Sequence, residues 1–276
     1  MKKNWKIVIN NFKSLDFPDD INEFYCDSFF ENKRNEYIQK YKKSSSEIDY
    51  YTNSVVPSFK KFDNAISFME PLIADCHFTE LCIKSFDGLA PGFLAELKIA
   101  KIVVDEQVKE IPACIFKDDK FLKEVTLNEG LKTIGDEAFA GCRNLKAICI
   151  PSTVNKIGSN ICGNCIFLES IKVCEKNEYY ISFNSNIIVN KANMQIIQGC
   201  YKSAFPNTIK SIGERAFYGL PLLKTIELPD SLVKISKKAF YGCINLEKIS
   251  LPSSIQCIDD YAFSEISQNA IISYRK

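Results

Sequence analysis

Residues 122–144, LKEVTLNEGLKTIGDEAFAGCRN, are followed at once by residues 145–167, LKAICIPSTVNKIGSNICGNCIF. When the second stretch is laid over the first, the apolar positions coincide. The matching pairs are Leu122 with Leu145, Val125 with Ile148, Leu127 with Ile150, Leu131 with Val154, Ile134 with Ile157, Gly135 with Gly158 and Cys142 with Cys165. A fixed period of about 23 residues predicts a solenoid in which each repeat forms one coil.

The same frame extends over most of the chain. Residues 78–98 form an irregular first repeat and residues 99–121 a full-length one, and residues 223–245 and 246–268 are two later units. Between residue 168 and residue 200 the frame is interrupted, and it resumes only after this stretch. The interruption contains two β-rich runs, residues 186–189 and 194–197, joined by a short polar loop. We therefore predict a solenoid over residues 78–276 with a β-hairpin insertion at about 174–199.

Each unit reads L-x-x-I-x-L-P-x-x-V-x-x-I-G-x-x-A-F-x-G-C. The first six positions alternate like a strand, so stacked units should build a parallel sheet. The phenylalanines should stack from coil to coil, and the cysteines should close a tightly packed corner. We expect the repeat glycines, Gly135, Gly158 and Gly213, to permit a tight turn, some of them with a positive φ.

The patterns IPSTVNKIG, IGERAFYGL, LPDSLVKISKKAFYGC and LEKISLPSSI resemble the BspA-like, treponemal-type leucine-rich repeat family. The interruption, with LESIKV, NEYY and NIIVN, also resembles an insertion common in that family. The resemblance covers about residues 78–276 and implies a curved, right-handed, β-rich leucine-rich repeat solenoid. Known members are mostly surface proteins of bacteria and of some parasitic protists, often linked to adhesion. The resemblance thus implies a protein-interaction module that binds a protein or cell-surface ligand.

Residues 1–77 lie outside the repeat. Trp5, Ile7 and Ile9 alternate like a short strand, and residues 21–43 and 58–76 have helical patterns. Because the first coil of a solenoid leaves an apolar cross-section open to water, we predict that residues 1–77 form a mainly helical N-terminal cap. The alternative is that this segment is an effector or a nucleic-acid-binding segment, which the solenoid only targets.

The charge of the chain is balanced, with 35 basic and 34 acidic residues, which makes nucleic acid an unlikely main partner. No run of eighteen apolar residues predicts a membrane span, and the N-terminal apolar run, WKIVI, is too short for a signal peptide. The twelve cysteines are therefore expected to be free thiols. The sequence as written favours a cytoplasmic location, and a cell-surface or secreted one if it is a fragment.

Cys162 and Cys165 form a C-x-x-C motif, which is typical of redox pairs and zinc sites. In the repeat frame, however, Cys165 falls on Cys142 and Cys162 on Phe139, so both are predicted to be core residues. His77 is the only histidine, and the acidic pairs Asp118–Asp119 and Asp259–Asp260 are expected to be solvated turn residues. We therefore predict no enzyme activity, no cofactor and no metal, and a thiol or metal role is kept only as a third hypothesis.

The remaining candidate site is the sheet face formed by the second, third and fifth positions of each unit. This face is a rigid, mixed-charge stripe, and we expect it to be the extended concave surface that solenoids use for partners. The residues predicted to contact a partner are Lys123, Glu124, Thr126, Lys146, Cys149, Lys172, Lys224, Glu227, Lys248 and Ser250. Solubility alone is an equally good explanation for any single one of them. A strand edge near Ile272 also predicts possible self-association with a second molecule.

Overall fold

The computed structural model describes residues 5–11, 14–16, 78–86, 91–96, 99–184 and 186–275. The described chain is a β-solenoid of about eight turns with a period of about 23 residues, which confirms the predicted repeat solenoid. The helices predicted at residues 21–43 and 58–76 lie outside the described residues. A short helix, α1 (Phe93–Glu96), lies in the irregular first repeat. No helix in the described part of the chain has the length and apolar character needed to cross a membrane.

The first strand of each coil lies on one side of the solenoid. These strands are β3 (Phe78–Ile83), β4 (Lys101–Val104), β6 (Glu124–Leu127), β8 (Ala147–Ile150), β10 (Ser170–Val173), β15 (Thr225–Glu227), β17 (Lys248–Leu251) and β19 (Ile271–Tyr274). They pair in parallel in three groups, β3-β4-β6, β8-β10 and β15-β17-β19. Their register keeps equivalent residues opposite each other, for example Ile171 with Ile148 and Ile249 with Ile226.

A second ladder of two-residue strands follows the first. One group is β5 (Glu110–Ile111), β7 (Thr133–Ile134) and β9 (Lys156–Ile157), and the later group contains β14 (Ser211–Ile212), β16 (Lys234–Ile235) and β18 (Cys257–Ile258). Three strands from the interruption extend this later group: β11 (Tyr180–Phe183), β12 (Ile187–Asn190) and β13 (Gln195–Gly199). β12 and β13 pair as an antiparallel hairpin, and β13 pairs in parallel with β14.

Two strands near the N-terminus join the first sheet. β1 (Trp5–Asn11) covers the residues predicted to alternate, and it pairs in parallel with β3. β2 (Ser14–Asp16) pairs with β1 in the antiparallel sense. The sheet of the solenoid is thus extended by a strand from the segment that we assigned to the N-terminal cap.

The corner of each coil is closed by residues with a positive φ. They occupy equivalent positions in successive coils on each side of the interruption: Cys114, Glu137 and Asn160, then Arg215, Lys238 and Tyr261, with φ between 53° and 60°. A left-handed residue reverses the chain locally, which brings backbone groups into line with the next coil. The corners are then joined by coil-to-coil bonds such as Phe139 N–H to Ile161 O at 2.8 Å.

The repeat glycines have a different role from the predicted one. None of Gly135, Gly158 and Gly213 is among the residues with a positive φ. A Cβ on Gly135 would lie 2.5 Å from the amide nitrogen of Ala113, and a Cβ on Gly158 would lie 2.6 Å from that of Asp136. The prediction of a positive φ was therefore wrong: glycine is needed because the backbone of the preceding coil approaches too closely for a side chain.

The core is a ladder of phenylalanines between the two strand ladders. Phe116 stacks on Phe139 with ring centroids 5.0 Å apart, and Phe217 stacks on Phe240 at the same distance. All four of these side chains are fully buried. Cysteines pack beside them, since the Sγ atoms of Cys142, Cys165 and Cys243 each lie 3.0 Å from the carbonyl oxygen of a ladder phenylalanine in the preceding coil.

Candidate ligand-binding face

The candidate binding face is the outward side of the first strand ladder. The inward residues of these strands, such as Ile148, Ile171 and Ile249, are buried. Of the ten predicted contact residues, nine are exposed and Ser250 is partly exposed. The strand pleat places the seven of them that lie within strands on the solvent side of the sheet. The other three, Lys123, Lys146 and Lys224, lie just before β6, β8 and β15.

The register brings some of the predicted residues together. In the middle group, Lys172 lies directly opposite Cys149. In the last group, Lys248 lies opposite Thr225, and Ser250 lies opposite Glu227. In the first group, Glu124 lies opposite Lys101, which the prediction did not include.

The structure does not bring all ten residues onto one continuous sheet. Between β10 and β15 the chain makes the insertion, and these two strands are not paired. Lys202, which follows the insertion, forms an ion pair with Glu169 at 2.7 Å at this break. β6 and β8 are not paired either, so the strands of the face form three groups. We call the face up to β10 the N-terminal part and the face from β15 the C-terminal part.

Ion pairs order two carboxylates along the N-terminal part. Lys101 Nζ lies 2.8 Å from Glu80 Oε2, and a hydrogen bond with Glu80 raises the pKa of Lys101. The hydrogen bond from Lys202 lowers the pKa of Glu169. Sequence reasoning missed Lys101 and Lys202, although the first occupies the third position of its unit and was available from the frame.

Polar side chains of the insertion take the place of the missing coil. The hydroxyl of Tyr180 accepts a hydrogen bond from the amide of Ile157 at 3.0 Å. Ile157 belongs to β9, and this bond occupies the position where β9 would otherwise pair with the strand of a further coil. Asn177 is buried and donates to the carbonyl oxygens of Pro151 and Val154. Backbone polar groups that would be unpaired at the break are therefore satisfied by side chains.

Gln198 makes the deepest of these connections. It is fully buried, and its Oε1 accepts the amide of Cys162 at 3.1 Å. Its Nε2 donates to the carbonyl oxygens of Gly199 and Ala216, at 3.0 and 2.9 Å. One side chain thus connects the coils before and after the interruption, and no residue of the repeat pattern predicted it.

The C-x-x-C residues lie in the core. Cys162 and Cys165 are both fully buried, as the frame predicted. A hydrogen bond with Cys165 and burial raise the pKa of Cys162. A thiol held in the protonated form is a poor nucleophile and a poor metal ligand. In the described part of the chain, no group of three or more His, Cys, Asp or Glu residues could hold a metal ion, and His77 lies outside the described residues.

Cys149 is the one predicted contact residue that could carry out chemistry. Its side chain is exposed on the sheet face. Partial burial raises the pKa of its thiol, and the facing Lys172 opposes this effect. Since the balance favours the thiol over the thiolate, the position is suited to contact with a partner rather than to nucleophilic attack.

Asp119 corrects the prediction of solvated acidic turns. Asp118 and Asp260 are exposed, but Asp119 is 0% exposed. Its Oδ1 accepts the amides of Phe121 and Leu122 at 2.8 and 3.0 Å, and its Oδ2 has no hydrogen-bond partner among the described residues. In the repeat frame Asp119 falls on the core position of Cys142, so the signal for its burial was present in the sequence.

This burial predicts a pH-dependent stability. Desolvation raises the pKa of Asp119 from 3.8 to about 6. Because the folded state binds the proton more tightly, this carboxyl contributes most to stability below about pH 4, and its contribution is lost as the pH rises to about 6. A rise in pKa of this size corresponds to roughly 3 kcal/mol in all. The unfolding free energy of Asp119→Asn minus that of the wild type should therefore increase by about 2 kcal/mol from about pH 4.5 to about pH 7.5.

Urea titrations at several pH values measure this difference. Asp118→Asn is the matched control, since it removes the same charge from the neighbouring exposed side chain. If the difference in unfolding free energy between Asp119→Asn and the wild type stays constant with pH, folding does not raise the pKa of this carboxyl.

The open edge predicted near Ile272 lies on β19. This strand pairs with β17 on one side, and its register places Ile272 and Tyr274 at the inward positions of Ile249 and Leu251. Ile272 is 44% exposed and Tyr274 is 68% exposed, whereas their counterparts in β17 are buried. Apolar side chains at inward positions are thus accessible at this end of the described solenoid.

Comparison with known proteins adds to these observations. A family model described as the BspA type leucine rich repeat region matches in 6 copies, over residues 91–201 and 192–276. No match is found among curated proteins.

Two solved structures illustrate the likeness of fold. The pneumococcal vaccine antigen PcpA is 21% identical with a TM-score of 0.52, and the match covers 71% of this chain and 57% of that one. A leucine-rich repeat protein from Eubacterium ventriosum is 20% identical with a TM-score of 0.56, and the match covers 79% of this chain and 65% of that one. This chain thus spans less than two thirds of the length of either structure, and at this level of identity the likeness concerns the fold.

The coil-to-coil ladders, the stacked phenylalanines and the six matched copies of the repeat agree with one another. The chain belongs to the BspA-type leucine-rich repeat family.

Proposed function

We propose that this chain is a non-enzymatic binding module that receives a protein or a cell-surface ligand on the outward face of its first strand ladder, as adhesion-like proteins do. The observation that carries the proposal is the contrast between the two sides of the same strands. Inward residues such as Ile148 and Ile171 are buried, whereas the outward Cys149 and Lys172 are exposed. The repeat thus presents variable side chains on an invariant, rigid support.

Membership of a leucine-rich repeat family supports this proposal, because such solenoids use their extended surfaces for partners. The chemistry of the described cysteines also supports it. The six buried thiols are packed in the core, and the exposed Cys149 is held mainly as the neutral thiol. A binding role needs no activated side chain, whereas a thiol enzyme would.

Reversing charges on the face tests the proposal. A partner captured from intact cells or from lysate is titrated against the variant with Lys146, Lys172 and Lys224 all replaced by glutamate. We expect its affinity to fall by about tenfold or more, since like-charge contacts at an interface are strongly unfavourable.

The matched control replaces Lys132, Lys156 and Lys210 with glutamate, which makes the same change of charge at exposed residues associated with the second ladder. Its affinity should stay within about twofold of the wild type. If the first variant binds as tightly as the wild type, or if both variants lose affinity equally, the outward face of the first ladder is not the binding surface.

A further inference from the structure

Four basic side chains lie just before β6 and β8, beside the N-terminal part of the face. Lys120 and Lys123 flank the boundary between two units, and Arg143 and Lys146 occupy the equivalent positions one unit later. All four are exposed. Successive coils here are separated by about the distance between the stacked rings of Phe116 and Phe139, whose centroids are 5.0 Å apart. Like charges are therefore placed close to one another.

Ion pairs among the described residues do not neutralise this cluster, because none of the four cations forms one there. Glu169 pairs with Lys202, although Lys146 also contributes to its lowered pKa. Glu124 lies opposite Lys101. The repulsion between the four cations is thus offset only in part, by the interaction of Lys146 with Glu169.

The repeat does not require four cations at these positions. Counted from the first leucine of each unit, the equivalent residues in the C-terminal part are Pro221, Lys224, Ile244 and Glu247. There, one cation and one anion occupy positions that hold two lysines in the N-terminal part. Since the fold accepts either sign, the positive cluster is a specific feature of residues 120–146.

Two exposed aromatic rings flank the cluster. Phe121 is 44% exposed and Phe167 is 46% exposed, and they occupy the same position two coils apart, with Asn144 in between. At the coil spacing of the phenylalanine ladder this separation is about 10 Å. Aromatic side chains combined with basic ones are the usual composition of the energetic centre of a protein interface.

We infer that Lys120, Lys123, Arg143 and Lys146, with Phe121 and Phe167, form a docking site for an acidic peptide segment of a protein partner that also carries an apolar side chain. This inference rests on the proposed binding function and names the chemistry of the partner. The carboxylates would be placed over the four cations, and the apolar side chain would contact the exposed rings. Glu124 and Glu169 at the borders of the cluster disfavour a nucleic acid, because a continuous phosphate backbone could not avoid them.

A binding titration with defined probes tests the inference. The main probe is a short fluorescent peptide of glutamates with a central phenylalanine, and the comparison probes are the same peptide with glutamines, oligouridylate and heparin. We expect the wild type to prefer the glutamate peptide over the other three, with an affinity that decreases as salt is added. The variant Lys120→Glu, Lys123→Glu, Arg143→Glu should bind it at least about tenfold more weakly, and Phe121→Ser with Phe167→Ser should weaken it severalfold.

The matched control is Lys132→Glu, Lys156→Glu, Lys210→Glu, which makes the same change of charge at exposed residues beside the second ladder and should bind the peptide within about twofold of the wild type. The inference is overturned if the glutamate peptide does not bind, if both triple variants lose affinity equally, or if oligouridylate or heparin binds more tightly. Failure here is separable from failure of the proposed function. The distinguishing result is a captured partner whose affinity falls when Lys172 and Lys224 are reversed and stays unchanged when Lys120, Lys123 and Arg143 are reversed. In that case the proposed function stands, and the partner binds a different part of the face.

Discussion

Replacing Phe240 with alanine is expected to lower the free energy of unfolding by about 3–5 kcal/mol. Phe240 is fully buried between Phe217 and Phe263, with ring centroids 5.0 and 5.2 Å away. The substitution removes the largest apolar contact of its coil and leaves a cavity between two stacked neighbours, which the backbone ladders on both sides prevent from closing.

Urea-induced unfolding followed by circular dichroism measures this loss. Phe167→Ala is the matched control, because it removes the same side chain from a position that is 46% exposed, and its cost should stay below about 1 kcal/mol. Equal costs for the two variants would mean that the phenylalanine ladder does not dominate the stability of the coils. Since repeat proteins can unfold in parts, the transition should be checked for a second phase.

Replacing Gln198 with leucine is expected to cost about 2–4 kcal/mol. The leucine has a similar volume, but it cannot accept the amide of Cys162 or donate to the carbonyl oxygens of Gly199 and Ala216. Because the site is fully buried, the amide of Cys162 would be left without a partner. The loss should fall on the junction between the two parts of the solenoid.

Hydrogen exchange gives a local readout of this effect. In the Gln198→Leu variant, the amide of Cys162 should exchange faster than in the wild type, while the amide of Phe240, which donates to Ala262 at 2.8 Å, should change less. Gln256→Leu is the matched control, since Gln256 is exposed. Unchanged exchange at Cys162 would show that another group satisfies this amide when Gln198 is absent.

The repeat frame carried most of the reliable predictions. It identified the inward residues of each strand, the stacked phenylalanines and the burial of Cys162 and Cys165, because equivalent positions in identical coils have the same environment. The same frame could have revealed Asp119, which falls on the position of Cys142. The prediction that Asp119 is solvated was wrong because it relied on the usual preference of aspartate for water. The two backbone amides that donate hydrogen bonds to the buried carboxyl could not be seen in the sequence.

The candidate binding face was predicted in part. The exposure of Cys149 and Lys172 follows from strand alternation. Its division at the insertion does not, because whether β10 and β15 pair depends on how residues 174–199 fold. The exposed rings of Phe121 and Phe167 were missed for a related reason: they precede the strand and have no fixed orientation in the pattern.

By itself, the sequence determined the solenoid, its period and the identity of its core, because a repeated pattern of apolar residues has one favourable way to stack. Only the tertiary structure shows how Gln198, Tyr180 and Asn177 join the two parts of the solenoid. It also shows that the preceding coil leaves no room for a Cβ at Gly135. These features depend on contacts between residues of different coils at distances that the period does not encode. The pairing of a buried amide, and the space left for a Cβ, are properties of two neighbouring chain segments and are fixed only when the coils stack.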